Sequence, residues 1–119
     1  MEKEVATFIA TLLHSGTNTH FFHLSSKSYS QHKALGNFYE EIIELADDYA
    51  EAFMGRYNQI TDFPDLYHKP KEPISYLESL KRFVDDANAS LPKEQELVNI
   101  VAEIQQLIDS TLYKLRFLK

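Results

Sequence analysis

From Val5 onward the apolar residues recur at intervals of three and four, the spacing that gathers them on one side of an α-helix. Val5, Phe8, Ile9, Leu12, Gly16, Thr19, His20 and His23 form a first stripe and predict a helix near residues 3–24. A second stripe, Leu35, Phe38, Tyr39, Ile42, Ala46, Tyr49, Phe53, Tyr57 and Ile60, predicts a long helix near 30–60. Leu77, Leu80, Val84 and Ala87 predict a third near 74–89. There Ser75 with Glu78 three residues on reads as a capping box, in which side chain and backbone satisfy each other's donors. The fourth stripe, Leu97, Ile100, Val101, Ile104, Leu107, Ile108, Leu112 and Leu115, keeps a near-heptad seam and predicts a helix near 92–117 with Pro92 in its first turn.

Interruptions are few. The chain has only three glycines and four prolines, and Pro64, Pro70 and Pro73 fall together between Thr61 and Pro73, which marks the main break. The other links, Ser25 to Ser30 and Asn88 to Leu91, are short enough to force antiparallel neighbours. The expectation is an all-α, antiparallel four-helix bundle of up-down order, one domain over residues 1–119. A composition that is 44% apolar, with eight Phe and seven Tyr, can fill such a core without metal or disulfide.

Charge and cysteine usage narrow the function. With 12 Lys or Arg against 18 Asp or Glu the net charge is −6, and no lysine-rich extension is present, so duplex DNA is not an expected partner. The absence of cysteine removes thiolate metal sites and thiol catalysis. The start, MEKEVATFIATLLH, has an acidic first turn and no long apolar run, which reads as neither signal peptide nor membrane span and makes the cytoplasm the expected compartment.

Four of the five histidines, His14, His20, His23 and His32, lie close together in the first third of the chain. His20 continues the first stripe toward the end of its helix and His32 opens the second helix, so both can face the same end of the bundle. On the second helix, Asp47 and Glu51 are one turn apart on a flank shared with His32, Gly36, Ile43 and Met54. Two carboxylates at that spacing can chelate one hard cation. Asp47 is fifteen residues beyond His32, roughly 22 Å along a helix at 1.5 Å per residue, so one chain cannot unite them. A two-fold axis crossing the second helix antiparallel to its mate would bring His20 and His32 of one chain to Asp47 and Glu51 of the other. The half-apolar flank at Ile43 and Met54 fits such a homo-oligomer, a dimer or larger.

The segment HFFHLSSKSYSQHKALGNFYEEIIELADDYAEAF, His20 to Phe53, resembles the ferritin-like proteins that protect DNA during starvation (Dps), whose iron sites lie between two-fold related subunits. In that family two histidines twelve residues apart are followed by an acidic residue and then by a carboxylate pair on the second helix. His20 and His32 match the histidines, and Asp47 and Glu51 match the pair contributed by the partner subunit. The resemblance implies a ferritin-like fold, iron (or zinc or manganese) as the bound metal and ferroxidase chemistry with peroxide or dioxygen. The chain departs from the pattern at Gly36, which stands where the family has its acidic residue, and at Phe21, where the family usually has tryptophan. It is also shorter than typical members. On this reading Gly36→Asp restores a missing ligand and raises metal affinity.

Other metal chemistry of helical bundles finds no footing: the chain has neither Glu-x-x-His nor His-x-x-x-His. Two functions of different class remain open. One is a Dps-like protein that binds a divalent metal between subunits and oxidises iron. The other is a non-catalytic oligomeric interaction module with a vestigial metal site.

Overall fold

The computed structural model describes residues 1–119 and contains four helices, α1 (Glu2–Ser25), α2 (Tyr29–Arg56), α3 (Pro73–Ala87) and α4 (Gln95–Phe117). Each boundary has a local cause. Glu2 and Glu4 place negative charge at the positive end of the α1 dipole, and Lys114 and Arg116 complement the carbonyl end of α4. Ser28 caps α2, its hydroxyl accepting from the Gln31 N–H at 3.4 Å.

At α3 the cap is one residue before Pro73 and not the capping box that Ser75 and Glu78 suggest. The Glu72 carboxylate accepts from the Ile74 and Ser75 N–H groups at 2.8 and 2.7 Å, with Pro73 opening the helix where its missing N–H costs nothing. Hydrogen bonding from the Ser75 side chain first, and then from these two N–H groups, holds the Glu72 carboxyl below its ordinary 4.5.

Two expected helices are shorter than their stripes. The second ends at Arg56, with Tyr57 leaving helical geometry at ψ −97°, and the fourth starts at Gln95, so that Pro92 lies in the preceding link. Ile60, Leu91 and Pro92 are nonetheless buried. Full burial of an Ile or Leu contributes about 1.5–3 kcal/mol, reason enough for a loop to fold its apolar residues inward and so prolong the apolar pattern past the helix end.

All contacting helix pairs run antiparallel, but the chain order is not a simple alternation. α3 descends along α1, as Tyr76 meets Phe22 and Phe83 meets Phe8. Lys81 reaches Asp109 at 2.6 Å and Arg116 reaches Glu78 at 2.5 Å, so α4 ascends along α3. Arg56 pairs with Glu96 at the opposite end, where α4 starts beside the end of α2. α2 and α3 therefore point the same way, and the connection 57–72 must climb the length of the bundle. It does so along α1, where Tyr67 packs edge-on to His14 at 5.3 Å and the His68 carbonyl accepts from Asn18 Nδ2 at 3.3 Å. The order is up-down-down-up with one long crossover, where the short links had suggested up-down alternation.

The core is one continuous cluster of buried side chains from all four helices, with Phe8 edge-on to Tyr49 at 5.1 Å near its centre. No helix is long and apolar enough to cross a membrane.

Candidate functional site

The α1–α2 turn brings the histidines together in a pattern that their spacing alone does not disclose. His23 Nδ1 lies 2.6 Å from the His32 carbonyl oxygen, and His32 Nδ1 lies 2.8 Å from the His23 carbonyl oxygen. Both acceptors are carbonyls, so each Nδ1 carries the proton and donates. In the neutral form each ring then keeps its lone pair on Nε2. The two rings stack at 3.7 Å and 19°. The His32 bond also strengthens the end of α1, where the same carbonyl otherwise accepts only a long 3.5 Å bond from the Ser26 N–H.

His20 lies one turn back, at 6.1 Å from the His23 ring, and stacks almost parallel on Tyr39 at 4.0 Å and 7°. It is exposed, where the sequence pattern had placed it on the buried stripe; the stripe ends at Thr19. His20 and His32 thus belong to one cluster, with His23 between them.

Gly36 makes this cluster possible. A Cβ at position 36 would sit 2.9 Å from His23 Cε1 and 3.0 Å from its Nδ1. The space expected for an acidic ligand is filled by the His23 ring, so Gly36→Asp would displace an imidazole before it could add a carboxylate. The expected gain in metal affinity from that substitution is therefore corrected to a loss of the histidine pair.

Asp47 and Glu51 lie far along α2, exposed and free of any ion pair or hydrogen bond within the chain. No three His, Cys, Asp or Glu side chains converge within one chain in a way that could hold a metal ion. Between the histidines and the carboxylates the α1–α2 seam is tight: a Cβ at Gly16 would meet Ile43 Cγ1 at 2.9 Å, so the small residue lets the helices close. Leu13 on α1 and Ile43 on α2 remain 37% and 38% exposed, and Ile43 lies along α2 between the imidazoles and the carboxylates.

A second polar knot ties α2 to α4. Tyr57 donates to Glu94 at 2.5 Å and Arg56 Nε lies 3.4 Å from the same carboxylate, which lowers the Glu94 carboxyl from its ordinary range, the Tyr57 bond leading. Nearby, burial pushes the fully enclosed Tyr49 phenol up to about 12, aided by the Glu94 charge. Its position between helix ends makes this knot a structural clasp.

Sequence reasoning missed His23 and Tyr39 as partners of the predicted ligands. The available signal was the glycine one turn after His32 inside a long helix, where glycine is unfavourable unless something packs against it.

A protein of enterobacteria phage T4, described as an uncharacterized 14.6 kDa protein in the mobD-ri intergenic region, is 26% identical over 82 residues, which is 69% of this chain. The chain spans 63% of that relative's length. No solved structure matches it. Residues 23–115, from His23 through the last turns of α4, match the family of unknown function DUF5856, and the chain belongs to that family.

Proposed function

We propose that the protein is a Dps-like binder of a divalent cation, iron in the first instance, which associates through α2 and holds the ion between two chains. The observation that carries this reading is the arrangement along one flank: His20, His23 and His32 clustered at one end, Asp47 and Glu51 unpaired at the other, and exposed Ile43 between them. A two-fold axis near Tyr39 and Glu40 would set the imidazoles of each chain against the carboxylates of the other, the self-complementarity that an isologous dimer requires. The up-down-down-up order with a single long crossover, which is the connectivity of ferritin-like bundles, also supports it.

The donor set suits a borderline or hard divalent cation. His20 and His32 would offer imidazole nitrogens from one subunit, with His23 holding the His32 ring in place by its stack and the reciprocal bonds. Asp47 and Glu51 of the mate would supply the negative charge. The Nδ1 bond to the His23 carbonyl orients the His32 ring, as ligand histidines generally require. Iron held there is the substrate of an oxidation by peroxide or dioxygen; the chain's part is to bind it and leave access for the oxidant.

A second reading, an interaction module with a vestigial site, is favoured by the reciprocal His23–His32 bonds, which would serve the α1–α2 turn even without metal. The test is Fe(II) titration without air, followed by admission of air, beside Asp47→Ala. The metal reading expects saturable binding and Fe(III) formation in the native chain, both lost in the variant. A self-associated native chain that binds no Fe(II), Zn(II) or Mn(II) would establish the interaction module instead.

A further inference from the structure

On the side of α1 turned away from His20, Thr11, His14 and Asn18 follow one another at helical spacing. A cleft of about 470 Å³ lies between this stripe, the start of α3 and the crossover. That volume falls within the range of small-molecule sites. Its walls carry the apolar side chains Leu66, Leu80 and Phe83 and the ring of Tyr76, and its polar groups are hydroxyls, imidazoles and one amide. No Lys, Arg, Asp or Glu lines it. A charged ligand would give up hydration there with no opposite charge in return, so the cleft suits an uncharged one.

Asn18 gives the site its polarity. The residue is 2% exposed, and its Nδ2 donates to the His68 carbonyl, which fixes the orientation of the amide. Its Oδ1 is then left buried with no hydrogen-bond partner in the protein. The amide also reaches the Tyr76 hydroxyl, a bond that opposes the upward push of burial on that phenol, and its Oδ1 remains open to a donor brought from outside. Four rings line the cleft, those of His14, His68, Tyr76 and Phe83, which favours an aromatic ligand over a branched aliphatic one.

We propose that this cleft is a binding site for an uncharged aromatic small molecule bearing an N–H or O–H donor, its ring against Phe83 and Tyr76 and its donor satisfying Asn18 Oδ1. The site shares no residue with the histidine flank and stands apart from the metal reading.

The test uses indole, 1-methylindole, which lacks the donor, and indole-3-acetate, which adds a charge, each titrated into the full chain while backbone amide resonances are followed. Indole should shift the Asn18 and Tyr76 amides saturably, and both analogues should bind at least fivefold more weakly. Ser79→Trp, an exposed α3 position at the rim, should fill the cleft and abolish the shifts while helical circular dichroism stays unchanged. Asn18→Ala should bring indole down to the level of 1-methylindole. Absence of saturable shifts with indole, equal affinity for all three probes, or indole binding that survives Ser79→Trp would each overturn the proposal.

Discussion

Two glycines on the same helix have opposite meanings. At Gly55 an added Cβ meets nothing within 4 Å, so Gly55→Ala should stabilise the chain by about 0.5 kcal/mol through the unfolded state. At Gly36 the same methyl would strike His23, and the ring cannot swing aside without surrendering both its stack on His32 and its bond to the His32 carbonyl. Overpacking costs about 1–3 kcal/mol, more than the helix-propensity gain of about 0.5–1 kcal/mol, so Gly36→Ala should destabilise. Urea unfolding of the two variants side by side measures the difference. If both stabilised equally, the close approach of His23 to α2 would be refuted.

At the scale of the element, the ends of the helices decide where side chains can meet. Glu72→Ala removes the cap of α3 and should cost about 1 kcal/mol in urea unfolding at neutral pH. The sign of its pH dependence follows from the direction of the shift. Because the folded Glu72 carboxyl lies below its ordinary 4.5, its contribution is fully present above that value and is lost as pH falls through the folded value. Native and Glu72→Ala curves should therefore converge in acid. The existence of all four helices was legible in the apolar period, because a helix advertises its buried side every three to four residues. The C-terminal end of α2 and the start of α4 were not, since Ile60, Leu91 and Pro92 continue the apolar pattern from loops. The direction of α3 was equally hidden. A proline-rich link states that the chain breaks, and only its packing against His14 and Asn18 tells to which end it runs.

Over the whole molecule, the same limit applies to the site. His20, His32, Asp47 and Glu51 were legible as candidates by spacing, whereas the part played by His23 depends on a turn that places residues nine apart in mutual contact. Association through the α1–α2 flank should be broken by Ile43→Glu, which puts a charge at an apolar contact, and light scattering should report a monomer with unchanged helicity. Duplex DNA should not be shifted in a gel at physiological salt, given the net charge of −6. The central claim, that one cation is held by imidazoles of one chain and carboxylates of another, is tested most directly by complementation. His20→Ala and the double variant Asp47→Ala with Glu51→Ala should each lose most Fe(II) binding by calorimetry under anaerobic conditions. Mixed in equal amounts and allowed to exchange subunits, they should recover about a quarter of the native binding capacity, because about half of the dimers are mixed and one of two sites in each is intact. Recovery of no binding on mixing, with exchange verified by mass, would contradict an intersubunit site.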